Sequence, residues 1–164
     1  MVREKINAKI IMEEDIDSLL AEWDMVPAWI KVHVSAKRPA HRYEGQFAMT
    51  NEGMFFRGRD MKEGVSFELE IPMGSITSVD LGFNQRMQES IDPVFGAGGP
   101  VPIAVDFRED GRTRRAYIST CADNYSAHMN VNNARWYEIL AEVLAERESR
   151  DIPIRREREL VLAL

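Results

Sequence analysis

The chain has 164 residues and a mass of 18.8 kDa, which fits a single domain with short appendages. Its formal net charge of −6 argues against nucleic acid as the main partner, because DNA and RNA are bound mainly by clustered Lys and Arg. One cysteine excludes an intramolecular disulfide and is typical of a reducing compartment, so we expect a cytoplasmic protein. No stretch approaches the roughly 18 uninterrupted apolar residues of a membrane span, and the acidic N-terminal segment is not typical of a signal peptide.

The first predicted element is an amphipathic helix over residues 11–23. Its apolar residues recur at helical spacing, with acidic residues at the other positions: Ile16, Leu19, Leu20 and Trp23. We therefore assign residues 1–28 to an N-terminal helical appendage.

From residue 29 the apolar period changes to two, which is typical of strands with one buried face. The pattern predicts seven strands, at residues 29–36, 45–50, 54–58, 66–71, 75–83, 101–107 and 113–120. Short turns join most of them, and Asp110-Gly111 is the strongest hairpin signal. The exception is the long, Gly-rich connection 84–100, a kind of loop that is usually either functional or mobile. Seven short strands in this arrangement predict a sandwich or a barrel.

The last predicted element is a helix over residues 133–150. Its apolar stripe has helical spacing and consists of Trp136, Ile139, Leu140, Val143 and Leu144. Asn132 or Asn133 is a suitable N-cap, since a side-chain oxygen there can accept a bond from the first helical N–H groups.

Seven strands followed by one amphipathic helix resemble the pleckstrin-homology (PH) superfold, and the local motifs are similar to its GRAM-like and bacterial PH-like members. The motifs are Gly45-Gln46-Phe47-Ala48-Met49-Thr50-Asn51 running into Phe55-Phe56, and Ile71-Pro72-Met73-Gly74-Ser75-Ile76-Thr77-Ser78-Val79. The resemblance implies a mainly β (α+β) fold, a seven-stranded antiparallel barrel that the helix with Trp136 closes. It gives a PH-like domain at 29–150 and a C-terminal tail at 151–164, besides the additional N-terminal helix.

The alternative is another small helix-capped barrel, such as a lipocalin-like one that holds a ligand in an open interior. Large side chains in the expected core favour an interior filled by protein: Phe47, Phe55, Phe67, Phe83, Phe107 and Trp136.

A basic cluster occupies the loop between the first two predicted strands. Its cationic side chains are Lys37, Arg38, His41 and Arg42. In PH domains this loop binds phosphoinositide headgroups, so the resemblance implies a candidate anion or lipid site. The second strand, however, lacks the basic residues that lipid-binding members carry there, and charge runs are usually solvated surface.

Catalytic and metal sites are not predicted. Cys121, His128 and Asn132 follow the order of a thiol-protease triad but lack the sequence context of a nucleophile. The three histidines and one cysteine lack the spacing of a zinc site, and we expect no cofactor.

The C-terminal tail ends in a run of consecutive apolar residues, which is unfavourable as free solvated chain. The candidate interaction residues are Leu160, Val161, Leu162 and Leu164. We expect that they dock on their own barrel, that they pack on another subunit, or that the chain is a fragment of a longer protein. The leading hypothesis is a non-catalytic PH-like adaptor that acts through protein–protein contacts, self-association included. Membrane recognition of anionic lipid through residues 36–42 is the alternative, and a small-molecule carrier with a barrel cavity is the second alternative.

Overall fold

The computed structural model describes residues 4–18, 21, 42–89, 101–120 and 126–151. Its elements are β1 (Glu4–Met12), β2 (Tyr43–Met49), β3 (Gly53–Asp60), β4 (Ser66–Pro72), β5 (Ile76–Leu81), β6 (Ile103–Glu109), β7 (Arg112–Thr120) and the helix α1 (Ser126–Asp151). Short 3-10 turns, Glu13–Asp15 and Met73–Ser75, follow β1 and β4. Residues 85–89 form a single helical turn.

All seven strands belong to one antiparallel sheet in the order β4-β3-β2-β1-β7-β6-β5. The sheet curls into a half-barrel with β1 at its centre, where β1 pairs with β2 and with β7. Within the described residues, β4 and β5 are the two edges and do not pair with each other. The mainly β fold with a C-terminal helix is therefore confirmed, as a curled open sheet rather than a closed barrel.

The N-terminal segment differs from the sequence prediction. Residues 11 and 12, predicted to begin a helix, are the end of β1, and the strand extends back to Glu4. A 3-10 turn follows it, and helical backbone occurs at residues 16–18 and 21. The predicted helix was wrong over its first residues because tertiary pairing with β2 and β7 decides the conformation there. The predicted strand at 29–36 lies outside the described residues.

The two predicted hairpins are confirmed, and each has turn residues that fit its geometry. Asp110 and Gly111 join β6 to β7 with positive φ values of 51° and 77°, as a two-residue hairpin turn of the primed type requires. At the β2–β3 turn, Thr50 N–H donates to the Gly53 carbonyl at 2.9 Å. The Thr50 hydroxyl oxygen accepts bonds from the N–H groups of Glu52 and Gly53.

The concave face of the sheet carries the main core. Most strands contribute every second side chain to it, whereas β5, whose register shifts between Ile76 and Ser78, contributes Ile76 and Val79. α1 covers the β5–β7 part of the face. Trp136 of α1 reaches across to Phe47 of β2, with ring centroids 5.2 Å apart in a T-shaped contact. Within the described residues, the concave face is therefore packed with apolar side chains.

α1 begins at Ser126, before the predicted start at residue 133. Its predicted stripe is confirmed, since Trp136, Leu140, Val143 and Leu144 are buried in the core and Ile139 packs against them. The predicted N-cap role of Asn132 or Asn133 is wrong, because the helix starts earlier and both residues lie inside it.

Gly45 of β2 and Gly58 of β3 are paired neighbours in the sheet. A Cβ on Gly45 would lie 2.3 Å from the Arg57 carbonyl oxygen, and one on Gly58 would lie 2.2 Å from that of Glu44. No side chain fits either position, so the two backbones approach as closely as glycine allows, which is typical of a sharp bend in a sheet.

Phe55 is not in the core, contrary to the sequence prediction. β3 pairs with β2 so that Phe56 lies opposite Phe47, and both point to the concave face. Because neighbouring residues of a strand point to opposite faces, Phe55 then faces outward, where it is 37% exposed. Phe67 and Phe83 are only partly buried, Phe83 in a second cluster on the outer face.

Candidate functional site

Arg42 is the one member of the predicted basic cluster that the structure describes. Its guanidinium lies between two carboxylates, with Nη1 2.7 Å from Asp15 Oδ1 and Nη2 2.8 Å from Asp60 Oδ2. The Arg42 Nε–H also donates to Asp60. The positive charge of Arg42 is therefore paired with two carboxylates of the same chain. Lys37, Arg38 and His41 lie outside the described residues, so the anion site stays a prediction that Arg42 does not support.

Asp60 connects this ion pair to the β3–β4 turn. One of its oxygens accepts bonds from the backbone N–H groups of Lys62 at 2.9 Å and Glu63 at 3.2 Å. The hydrogen bond from Arg42 lowers the pKa of Asp60 to about 2, and the same bond raises the pKa of Arg42. Asp60 therefore stays deprotonated and Arg42 stays protonated near neutral pH. This suits a structural role and not proton transfer.

The acidic turn after β1 anchors several elements at once. Glu13 accepts bonds from the Tyr117 hydroxyl and from Asn84 Nδ2, Glu14 pairs with Arg114, and Asp15 pairs with Arg42 and accepts a bond from the Tyr43 hydroxyl. Burial raises the pKa of Tyr117 to about 12, and its bond to Glu13 acts in the same direction. Sequence reasoning placed these acids on the solvated side of a helix and missed this role.

A second ion pair fixes the outer surface of β6 and β7. Arg115 makes two bonds to Asp106, at 2.6 and 2.8 Å, and the Ser78 hydroxyl donates to the same carboxylate at 2.7 Å. The bond to Asp106 raises the pKa of Arg115. This bidentate arrangement leaves little of Asp106 available to a substrate.

The described residues contain no group of three or more His, Cys, Asp or Glu side chains arranged to hold a metal ion. Cys121 and the His128 side chain lie outside what the structure describes, as do Leu160, Val161, Leu162 and Leu164 of the tail. The predicted interaction role of the tail residues therefore stays a prediction.

Asn133 of α1 is fully buried and ties the helix to the end of the sheet. Its Oδ1 accepts bonds from the Thr120 amide and the Thr120 hydroxyl, both at 2.7 Å, and its Nδ2 donates to the Val101 carbonyl at 2.9 Å. Both polar atoms of this side chain are thus bonded to the protein itself. Sequence reasoning missed this contact, because burial was predicted from the spacing of apolar residues and a single buried amide does not contribute to that spacing.

The outer face of the sheet is covered over only part of its width. Over β1, β6 and β7 there is a second apolar cluster, in which side chains of the segments that follow β1 and β5 pack on outward side chains of the three strands. The segments provide Ile16, Met87 and Phe83, and the strands provide Ile11, Ala104 and Tyr117. Over β2, β3 and β4 the described residues provide no such cover.

The uncovered region is a groove of about 430 Å³ on β2, β3 and β4, which we call the β2–β4 face. Its outward side chains stand in two rows across the strands: Gln46, Arg57 and Glu68 in one, and Ala48, Phe55 and Glu70 in the other. Arg57 and Glu68 form an exposed ion pair at 2.9 Å. Phe55 has the small Ala48 on one side and the exposed Glu70 on the other, so one edge of its ring is accessible.

The sequence contained a signal for the β2–β4 face in its outward positions. These positions alternate with the core residues and are polar or small except for Phe55. Phe55, a large aromatic residue at a solvent-facing strand position, is the exception among them.

Within the described residues, no helix has the length and apolar character needed to cross a membrane. No protein-family model matches the chain, and no match was found among the curated proteins.

Proposed function

We propose that this chain is a non-catalytic binding module with a PH-like fold, which acts as a cytoplasmic adaptor through protein–protein contacts on the β2–β4 face. The main support is the uneven covering of the outer sheet surface. One half is sealed by the second apolar cluster, whereas the other half presents an accessible Phe55 among charged side chains.

The composition of the β2–β4 face defines the partner that it would suit. Aromatic and Arg side chains contribute most to protein interfaces, and charged pairs at the rim set orientation. Phe55 and Ala48 would contact an apolar side chain, and Glu70 would pair with a basic one. The partner is therefore another protein that presents an apolar residue next to Lys or Arg.

The observations on charge favour a protein partner over the two alternatives. Arg42 is held by two carboxylates, which removes one of the four cations of the proposed lipid site. The concave face is filled by the main core, which favours an adaptor over a carrier of small molecules. The ionisable clusters of the described region are paired internally, which favours binding over catalysis.

The proposal can be tested by site-specific photo-crosslinking in the cells that produce the protein. A photoreactive phenylalanine analogue at position 55 should form a discrete adduct with one protein, while the same analogue at position 131, an exposed site on α1, should not. Excess unlabelled wild-type chain should compete the adduct away, and the Phe55→Arg variant should not. Absence of a discrete adduct at position 55, or equal competition by both chains, would refute the proposal.

Purified partner then allows a quantitative measurement. Loss of a central aromatic anchor weakens binding by about 2 kcal/mol or roughly 30-fold, so Phe55→Ala should show this effect by calorimetry, and Val131→Ala should bind normally.

A further inference from the structure

The β2–β4 face offers a partner side chains and very little backbone. β2 pairs with β1 and β3, and β3 pairs with β2 and β4, over nearly their whole length. The N–H and C=O groups of these two strands therefore bond within the sheet. A segment that lies on such a face gains no main-chain hydrogen bonds from it and must satisfy its own backbone groups. A helix does so, whereas a single extended segment does not.

The spacing of the outward side chains also matches a helix. Ala48, Phe55 and Glu70 stand in one row across neighbouring strands, about 5 Å apart. Side chains that are three or four residues apart on a helix are separated by about 5–6 Å. A helix lying across the strands can therefore place an apolar residue on Phe55 and a second residue at Glu70 at the same time. In an extended segment, two side chains of the same face are about 7 Å apart, which fits this row less well.

The charges of the β2–β4 face determine the charge that suits this helix. Arg57 and Glu68 form an ion pair at 2.9 Å, so their charges offset each other although both side chains are exposed, by 83% and 67%. Glu70, in the next row, is also exposed. One Arg and two Glu leave the face with a net negative charge beside Phe55. A Lys or Arg complements this charge, and an acidic residue is repelled by it.

We propose that the partner segment on the β2–β4 face is a basic amphipathic helix of another protein. An apolar side chain of this helix packs on Phe55 and Ala48, and a Lys or Arg three or four residues away pairs with Glu70. This inference rests on the proposed function, because it names the kind of segment that the β2–β4 face binds.

Two synthetic peptides of the same composition, titrated into the full-length protein, test the helix. Both are Ala-rich, carry repeated Leu and Lys, and are held helical by covalent links between side chains. In the first peptide each Lys follows a Leu by four residues, so both lie on one side of the helix. In the second peptide it follows by two residues, so they lie on opposite sides. The first peptide should shift the NMR amide signals of Ala48, Phe55 and Glu70 and bind at least about fivefold more tightly than the second.

Variants at Glu70 test the charge. Glu70→Lys should weaken binding of the first peptide about fivefold, because an exposed ion pair is replaced by two like charges. A peptide with Glu in place of each Lys should restore the affinity for this variant. Glu70→Gln should weaken binding by less. Glu63→Lys makes the same change of charge in the exposed β3–β4 turn, outside the face, and should bind like the wild type.

Three results would overturn the inference. The first is the absence of shifts at Ala48, Phe55 and Glu70 with either peptide, as expected if another segment of the same chain covers the face. The second is equal affinity for both peptides, and the third is equal binding by Glu70→Lys and Glu63→Lys. If one of these results occurs while the analogue at position 55 still forms its discrete adduct in cells, the inference fails and the proposed function stands. If the adduct is absent as well, both fail.

Discussion

Asn133→Ala should destabilise the protein strongly, because it removes a buried amide that joins α1 to β7 and to the segment that leads into β6. The change removes the bond to the buried Thr120 N–H, at 2.7 Å, and the bond to the carbonyl of the exposed Val101, at 2.9 Å. The Thr120 hydroxyl can rotate to another acceptor. A buried N–H that loses its partner costs about 1–3 kcal/mol and the lost bond to Val101 about 1 kcal/mol, so we expect a loss of about 3 kcal/mol in the free energy of unfolding.

Thr120→Val is a graded comparison at the same site. It removes the hydroxyl bond at 2.7 Å but retains the amide bond to Asn133 Oδ1, so it should cost only about 1 kcal/mol. Val131→Ala, on the exposed side of the same helix, should stay within about 0.5 kcal/mol of the wild type.

Urea unfolding followed by far-UV circular dichroism measures all three variants. With a slope of about 2 kcal/mol/M, the Asn133→Ala midpoint should fall by about 1.5 M. If Asn133→Ala unfolds at the same urea concentration as Val131→Ala, the hydrogen bonds of Asn133 do not hold α1 on the sheet, and the reasoning is wrong.

Two further predictions concern β3 and the Arg42–Asp60 pair. Phe56→Ala should cost about 4 kcal/mol and Phe55→Ala less than about 1 kcal/mol, since only Phe56 is buried; equal losses in urea unfolding would mean that the assigned faces of β3 are wrong. The pKa of Asp60 is lowered to about 2 from an ordinary 3.8, so the stability it contributes is present above about pH 4 and is lost as the pH falls toward about 2. Arg42→Gln removes the main cause of that shift and should be less stable near neutral pH but lose less stability over this acid range; parallel pH profiles of the urea midpoint would contradict this.

The sequence was sufficient for β2 to β7 and for α1, because each has a short-range signal. One-sided strands alternate, the Asp110-Gly111 turn needs residues that tolerate positive φ, and the α1 stripe recurs at helical spacing. These signals depend only on neighbours along the chain. They also indicate most of the residues that enter the main core, with Phe55 and Phe83 as exceptions.

β1 could not be predicted in the same way. Ile10, Ile11 and Met12 are all buried, because the second apolar cluster covers the outer side of this part of β1 while the main core covers the inner side. A strand that is buried on both faces has no alternation of apolar and polar residues, so its sequence is a continuous apolar run. Because the apolar residues that follow β1 have helical spacing, the end of this run was assigned to a helix. Its partner β7 is also about a hundred residues away, so no local pattern reports the pairing.

The choice between Phe55 and Phe56 shows the same limit at the site. Two consecutive phenylalanines in a strand must face opposite sides, but either choice fits a period-two pattern. The register is decided by the pairing of Phe56 with Phe47 across the hairpin. The candidate interaction surface thus follows from a single register, which is why sequence alone assigned Phe55 to the core.

The acidic turn Glu13–Asp15 explains why one half of the outer face is covered and the other is not. Glu13 holds Asn84, the residue just before the helical turn that carries Met87 into the second cluster, and it also holds Tyr117 of β7. Asp15 contacts Arg42 and Tyr43 at the start of β2, and the covered part of the outer face ends there. Beyond that point β2 presents Gln46 and Ala48 to the groove, so the polar contacts of one short turn set the boundary at which the β2–β4 face begins.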